Sequence, residues 1–550
     1  MRFLGINAVF HDPAAALVVD GQTVAAAEEE RFSRRKHGKH PVPFSAWELP
    51  EQAARWCLEV AGITPADLDG VAYSYDPALV RPELDRLDPA WEDLRTLYAR
   101  RAPQFLATAL PGLDPDRVSF VPHHVAHAAS AVLAAPPVGG RRDRAVLVAD
   151  GRGEDAAHLA GAYRDGRLEI LARQSLPHSL GLIYEDLTDH LGFQRSSDEY
   201  KVMALASSGS PRFLGELREL IRTAGDGLIR TEPVDFSAFA KRRARDADIT
   251  ADHADLAASM QHRLEEVLLE LVTWLHERTG LRGLAMAGGV ALNCVANTRV
   301  FADGPFDDVW VQPAAGDAGT ALGGALHLAQ AAGEPVAPMP GADLGRGWSD
   351  ADCAAALDRA RLRYERPDDL ADTVAAALAR NELVAWFQGR SEYGPRALGR
   401  RSLLANPMHA ANLDRLNDVK GRESFRPVAP MVRAERAAEI FRRGPLPSPY
   451  MLFVHDVAED WRDRIPAVVH TDGTARVQTV DSGDPLLARM LHRFEEHTGV
   501  PVVVNTSLNT AGRPMVDSPR DVLECFGSSP IDLLAIGPFV VRRAHITEGR

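Results

Sequence analysis

Two histidines and two aspartates have the clearest capacity for chemistry in this chain. His123 and His127 stand four residues apart in VPHHVAHAASA, and a helix beginning near Pro122 places both on one face. Two imidazoles at this spacing can chelate one metal ion. Asp150 follows the apolar run AVLVA, and Asp317 lies in the small-residue loop AAGDAGTALGG. Imidazoles and carboxylates with open positions suit iron, manganese or zinc. The alternative is a pair of helix-lining histidines without a metal.

The C-terminal half is rich in residues that bind phosphate. Arginine and lysine neutralise phosphate charge, and arginine does so through two parallel hydrogen bonds. Four segments carry such residues, namely QGRSEYGPRALGRRSLLANP, NDVKGRESFRPVAP, VVHTDGTARVQTV and VVVNTSLNTAGRP. Any one segment is explained equally well by solvated charges paired with carboxylates, but the four together predict a polyphosphate pocket. The candidate ligands are Arg396, Lys420, Arg422, Arg426, Arg476, Asn505 and Ser507.

Two features of the N-terminal half point to a reacting group and a nucleotide. His11 lies in a turn after the first predicted strand and is a candidate general base, while Lys36 follows the third strand and can bind an anion. The alternative for both is an ordinary surface turn. Gly288, Gly289 and Asn293 lie in AGGVALN, between a strand and a helix. Backbone N–H groups in such a turn can cradle a phosphate or an adenosine, although glycine pairs also serve tight packing.

A repeated pattern predicts how these residues are positioned. Segments 2–9, 16–21 and 23–34 are predicted as strands, with an Asp-Gly turn after the second run, and 161–173 is a second Asp-Gly hairpin. Two similar lobes, each opening with antiparallel strands, are typical of an actin-like, duplicated RNase H-type fold. The long segment 74–112 is predicted as a loop region that contacts the substrate.

A Pro- and Gly-rich stretch at 334–350 marks a domain boundary. We therefore predict an α/β protein with an N-terminal domain over 1–345 and a second α/β domain over 366–550. In the second domain, 371–382 and 519–529 are predicted helices, while 383–389, 501–507 and 533–543 have strand character.

Composition narrows the class of protein. The net charge of −14 argues against broad binding to nucleic acid, which needs a basic face. No apolar run approaches the roughly 20 residues of a membrane-spanning helix. The four cysteines form no CxxC pair, so free thiols in the reducing cytoplasm are expected rather than a disulfide framework or a zinc finger. A cytoplasmic protein without membrane or nucleic-acid partners is the expectation.

Several segments together resemble the NodU/CmcH O-carbamoyltransferase family over essentially the whole chain. They are GINAVFHDPAAALVVDG, AAEEERFSRRKH, HHVAHAASA, SLGLIYEDLTDHLGF, DEYKVMALASSG, GRSEYGPRALGRRSLLANP, FRPVAPMV, DGTARVQTV and NTSLNTAGRPMV, in that order. An ordered series of this length is more specific than any single motif. One departure is Arg152, which stands where the family more often has a small residue.

The resemblance implies a fold and a two-step reaction. The N-terminal domain is expected to be a metal-binding, actin-like ATPase (ASKHA) domain and the C-terminal domain to be YrdC-like. The C-terminal domain would make carbamoyl-adenylate from ATP, with Mg, and carbamoyl phosphate. The N-terminal domain would transfer the carbamoyl group to a hydroxyl of a natural product, and an antibiotic sugar, a macrolide side chain and a nodulation-type oligosaccharide all stay open as the acceptor.

The resemblance also assigns site residues by position. It implies Fe(II) or another divalent metal on His123, His127, Asp150 and Asp317, and catalytic roles for His11 and Lys36. Polyphosphate and carbamoyl binding fall to Arg396, Lys420, Arg476 and Ser507.

The expected partners are carbamoyl phosphate, ATP, a hydroxylated small-molecule acceptor and a second copy of the chain in a homodimer. Two alternatives stay open at this point, a tRNA threonylcarbamoyl-type modifying enzyme and an ASKHA metabolite kinase. The kinase would need no Arg-rich second domain.

Overall fold

The structure is a computed structural model that describes residues 1–38, 49–81 and 89–544. The chain divides into two compact units, Met1–Gly341 and Ala342–Arg550. Both contain strands and helices, so the predicted α/β class is confirmed. The helices in the described part of the chain lack an apolar stretch of the length that a membrane span requires.

The first unit is built from two five-stranded sheets of the same topology and a short two-stranded sheet. The first has the order β3-β2-β1-β4-β5 and the second has β8-β7-β6-β11-β12. In each, three antiparallel strands are followed by two parallel ones. The duplication predicted from the two hairpins is therefore confirmed. The strands are β1 Arg2–Asn7, β2 Ala14–Val19, β3 Gln22–Glu28, β4 Gly70–Tyr73, β5 Val118–Phe120, β6 Arg144–Ala149, β7 Ala156–Arg164, β8 Arg167–Ser175, β9 Ile221–Thr223, β10 Ile229–Thr231, β11 Gly283–Ala287 and β12 Asp308–Val311.

In each lobe, helices lie between the third and fourth strands of the sheet and after each of the last two strands. They are α1 Glu30–Ser33, α2 Glu51–Ala61, α3 Pro89–Ala109, α4 His123–Val132, α5 Leu180–His190, α6 Glu199–Ala206, α7 Leu214–Leu220, α8 Ala251–Thr279, α9 Cys294–Asp303 and α10 Ala318–Ala331. Two predictions were wrong here. The third strand ends at Glu28, because the following glutamates and arginine begin α1 instead. Within 74–112, residues 82–88 lie outside the described residues, and α3 occupies most of the remainder.

Helices α4 and α10 occupy equivalent positions, each after the last strand of its lobe, and they pack against each other. Their backbones approach closely because α10 is rich in small residues. A Cβ atom on Gly323 would lie 1.8 Å from the carbonyl oxygen of Ala126 in α4. Any side chain at that position would separate the two helices. The sequence TALGG therefore sets the spacing of the helices that carry His123, His127 and Asp317.

The second unit has a seven-stranded mixed sheet of order β19-β15-β20-β14-β13-β21-β22 and a three-stranded sheet of order β16-β17-β18. Its helices are α11 Asp350–Arg359, α12 Leu370–Ala379, α13 Ala411–Lys420, α14 Ala434–Ile440, α15 Glu459–Arg462, α16 Pro485–Thr498 and α17 Pro519–Ser528. Its strands are β13 Val384–Phe387, β14 Arg401–Ala405, β15 Ala429–Arg433, β16 Phe441–Arg442, β17 Val454–Val457, β18 Thr474–Arg476, β19 Gln478–Val480, β20 Val502–Ser507, β21 Leu533–Ile536 and β22 Phe539–Arg542. Helix α11, which lies between the two predicted domains, belongs to this unit.

Candidate functional site

The four candidate metal ligands come together in the first unit. His123 and His127 lie one turn apart on α4, Asp150 follows β6, and Asp317 immediately precedes α10. One ligand atom from each lies within 4.8 Å of every other, and all four residues are buried. His123 Nε2 is 3.3 Å from Asp150 Oδ2, and His127 Nε2 is 3.6 Å from Asp317 Oδ1.

These distances fit a metal ion better than direct hydrogen bonds. Ligand atoms at 2.0–2.2 Å from a tetrahedral ion stand about 3.3–3.6 Å from one another. Buried polar atoms normally have partners, yet the Nε2 atoms of His123 and His127 and Oδ2 of Asp317 have no hydrogen-bond partner among the described residues. A divalent ion would satisfy all three atoms. The donor set of two nitrogens and two carboxylates fits iron, manganese or zinc.

Opposite charges stabilise one another in this cluster. Burial opposes the charged form of His123, but the carboxylates of Asp317 and Asp150 raise its pKa well above the ordinary value. Burial likewise opposes ionisation of Asp150, but the neighbouring imidazoles of His123 and His124 hold its pKa well below the ordinary value. His124 differs, since burial lowers its pKa to about 4 and keeps the ring neutral.

The glycine turn at the end of β11 supports Asp150. The N–H of Gly289 donates to Asp150 Oδ1 at 2.9 Å. Gly288 has φ +93°, and a Cβ there would lie 2.2 Å from the Ala149 carbonyl oxygen. Asn293 caps α9 through the N–H of Ala296 and pairs with the side chain of Gln261. The structure thus gives these three residues supporting roles, and their contact with a nucleotide stays a prediction.

His11 reaches the edge of the metal cluster. Its Nε2 lies 3.7 Å from Asp317 Oδ2, and its Nδ1 lies 2.9 Å from Asp12 Oδ2. The other oxygen of Asp12 is 2.7 Å from Nδ1 of His37. Burial opposes ionisation of Asp12, but the charges and hydrogen bonds of His37 and His11 hold its pKa well below the ordinary value.

An ionised carboxylate only accepts hydrogen bonds. Asp12 therefore requires protons on both Nδ1 atoms, which leaves Nε2 of a neutral His11 as a base facing Asp317. We assigned no role to Asp12 from the sequence. Its position next to His11 is the feature that could have indicated one. Lys36 is placed with Nζ 5.9 Å from the ring centre of Tyr200 on α6.

In the second unit, Lys420 and Ser507 come together although they are 87 residues apart. Lys420, at the end of α13, is only 6% exposed. Its Nζ donates to Ser507 Oγ at 2.9 Å and to Asn509 Oδ1 at 2.5 Å. Asn509 lies two residues after Ser507, in the same segment that the sequence predicts to contact phosphate. An ammonium group beside a hydroxyl and an amide can bind a phosphate or a carbamoyl oxygen.

The side chain of Asn505 makes hydrogen bonds within the second unit. It is fully buried, and its Nδ2 donates to the carbonyl of Ala397 at 3.1 Å and to Gln478 Oε1 at 2.6 Å. Gln478 in turn donates to the carbonyl of Leu398 at 2.8 Å. The two amides hold the loop that carries Arg396. Direct ligand binding by Asn505 stays a prediction, and its observed contacts are structural.

The remaining candidates lie on two segments of the second unit, the loop after α13 and strand β18. Arg422 donates to Asn417 Oδ1, and Arg426 lies 3.6 Å from Glu423 Oε2. Arg476 ends β18. Lys420 and Ser507 are joined by a direct hydrogen bond of 2.9 Å, and the structure supports this pair of predicted ligands directly.

Comparisons with known proteins agree across both units. The family model "Carbamoyltransferase N-terminus" matches residues 2–326, and "Carbamoyltransferase C-terminus" matches 375–543. Nodulation protein NolNO of Sinorhizobium fredii is 37% identical, with 98% of this chain and 80% of that protein covered. Nodulation protein U of Bradyrhizobium diazoefficiens is 31% identical, with 93% of each chain covered. Among solved structures, HypF of T. kodakarensis is 16% identical at a TM-score of 0.33, with 60% of this chain and 48% of that chain covered.

Proposed function

The chain belongs to the carbamoyltransferase family, and from that premise we propose that it is an ATP-dependent O-carbamoyltransferase acting on a hydroxylated natural product. The observation that carries the proposal is the buried cluster of two histidines and two aspartates with His11 at its edge. The acceptor is proposed to be an antibiotic sugar or a macrolide, and a cytoplasmic location suits the use of ATP.

The first step is proposed for the second unit. Atom balance requires that carbamoyl phosphate and water give carbamate and inorganic phosphate. A carbamate oxygen then attacks the α-phosphorus of ATP, and pyrophosphate leaves as carbamoyl-adenylate forms. Lys420 would neutralise phosphate charge, and Ser507 would orient the carbamoyl group through its hydroxyl. Arg396 and Arg476 would add charge at the polyphosphate, where Mg-bound ATP is expected to lie.

The second step is proposed for the first unit. The acceptor oxygen attacks the carbamoyl carbon, the bond from that carbon to the AMP oxygen breaks, and AMP leaves. Nε2 of His11 would take the hydroxyl proton, because Asp12 holds Nδ1 in its protonated form. His123, His127, Asp150 and Asp317 would hold Fe(II) or another divalent ion, which would supply positive charge to stabilise the developing oxyanion. Lys36 would bind an anionic part of the donor.

Release of pyrophosphate tests this assignment. The full chain, ATP, Mg and carbamoyl phosphate should produce pyrophosphate and carbamoyl-adenylate without any acceptor. ATP alone should not do so. Folded protein that releases no pyrophosphate under these conditions would refute the two-step scheme.

Replacement of His11 should slow the second step alone. We expect His11→Gln to lower the rate of carbamoyl transfer by about 10²- to 10⁴-fold, the usual contribution of a general base. The acceptor is first identified by a mass gain of one carbamoyl group. Transfer is then measured as the release of AMP in its presence. His178→Gln, a histidine bonded to Thr231 in the same unit, is the control. Unchanged transfer by His11→Gln would exclude the role of base.

A further inference from the structure

Glu154 lies four residues after Asp150 and is outside the proposed ligand set. We propose that Glu154 is a positioning residue of the metal site, which fixes His123 by joining three separate backbone segments. This inference rests on the metal site of the proposed function. The side chain of Glu154 is almost completely buried, and one oxygen atom, Oε1, accepts two backbone hydrogen bonds.

The first of these bonds caps the helix that carries the histidines. His123 is the first residue of α4, and its N–H is one of the four that a helix cannot satisfy internally. The N-cap residue is Pro122, which supplies no side-chain cap. Glu154 Oε1 accepts this N–H at 2.7 Å from 31 residues further along the chain. An oxygen atom of a distant side chain therefore replaces the local cap that the sequence lacks.

The second bond fixes the ring of His123. Glu154 Oε1 also accepts the N–H of Asp76, at 2.8 Å, in the loop after β4. Two residues earlier, the carbonyl of Ser74 lies 3.2 Å from Nδ1 of His123. A carbonyl at Nδ1 selects the tautomer with its proton there, so that Nε2 is available to a metal.

The loop containing Glu154 begins at Asp150, which is itself a candidate ligand. One carboxylate oxygen thus fixes the backbone of His123, the loop that orients its ring and the segment that carries Asp150. Partners of this kind, outside the ligand set, typically contribute 10- to 100-fold to metal affinity, as a rough range.

The role of Glu154 depends on an acceptor oxygen at a fixed distance from the backbone. The variants Gln, Ala and Asp differ in this property. Glu154→Gln keeps an acceptor oxygen at the same distance from the backbone. Glu154→Ala removes the oxygen. Glu154→Asp keeps the charge but withdraws the oxygen by one methylene. We therefore expect Glu154→Gln to bind Co²⁺ about as tightly as wild type, and Glu154→Asp and Glu154→Ala to bind it more weakly.

Titration of metal-free full-length protein with Co²⁺, followed by calorimetry and visible absorption, tests this order. We expect Glu154→Ala and Glu154→Asp to weaken Co²⁺ binding about 10- to 100-fold, and Glu154→Gln to remain within about threefold of wild type. Glu29→Ala is the matched control, since Glu29 is equally buried and accepts the N–H of Ala53 at the start of α2, at 2.9 Å. Its Co²⁺ affinity should equal that of wild type.

Two results would overturn the proposal: wild-type affinity in Glu154→Ala, or equal losses in Glu154→Gln and Glu154→Ala. If Glu154→Ala does not fold, the comparison of Gln with Asp decides the question. Failure of the wild type to bind Co²⁺ would instead refute the metal site of the proposed function, and the positioning role with it.

Discussion

Replacement of His127 by alanine should reduce affinity for a divalent ion by at least about 100-fold, more than loss of a residue outside the ligand set costs. His127 is fully buried, and its Nε2 faces both aspartates at 3.6–3.7 Å. Removing it leaves three ligands, and two of these are carboxylates. Their mutual repulsion is then less well compensated. Isothermal titration of metal-free protein with Fe²⁺ under anaerobic conditions, or with Zn²⁺, measures the change.

The same variant should separate the two steps of the reaction. Transfer to an acceptor should be lost with His127→Ala, whereas pyrophosphate release from ATP and carbamoyl phosphate should continue at the wild-type rate. His190→Ala is the control, because His190 is also buried in the first unit and its Nε2 bonds to the carbonyl of Ala240, at 2.9 Å. Undiminished metal affinity in His127→Ala would refute the assignment of the ligands.

Replacement of Lys420 by methionine should slow the first step, formation of carbamoyl-adenylate, and leave the metal site intact. The side chain is buried beside Ser507 and Asn509, and its ammonium group is the cation proposed to neutralise phosphate. We expect pyrophosphate release to fall by about 10²- to 10³-fold, the range seen when one stabilising donor is lost from an active site. Metal affinity in the first unit should not change.

The control for Lys420 comes from the same helix. Arg415 lies on α13, where it bonds to Asn381 and Asn412, and Arg415→Met removes a cation of similar size. Its rate of pyrophosphate release should stay within about twofold to threefold of wild type, as for a residue on the partly exposed surface. Wild-type activity in Lys420→Met would remove the second unit's phosphate site from the scheme.

Local patterns predicted much of the fold and the ligand set. The turn at Asp20-Gly21 and the hairpin at 161–173 predicted the two similar lobes, because Asp-Gly steps favour tight turns wherever they occur. The spacing of His123 and His127 predicted one helix face, and α4 has both rings on that face. These features depend on neighbours within a few residues.

Other features depend on contacts that no local pattern contains. Helix α3 was predicted as a loop, since charged residues and Pro103 obscure its periodicity. Glu154 and Asp12 act through bonds to distant segments, and a single sequence does not reveal those partners. Asn505 has an amide side chain that could bind phosphate, yet it is buried in the sheet and bonds to Ala397 and Gln478.

The most direct test of two-step carbamoyl transfer follows one oxygen atom. Carbamoyl phosphate labelled with ¹⁸O at its carbonyl is incubated with the protein, ATP, Mg and an acceptor. The ¹⁸O content of the released AMP is then measured by mass spectrometry. A carbamate oxygen that attacks ATP stays with phosphorus when the carbon–oxygen bond breaks, so ¹⁸O should appear in AMP. Carbamoylated acceptor formed alongside unlabelled AMP, or without any AMP, would contradict a carbamoyl-adenylate intermediate.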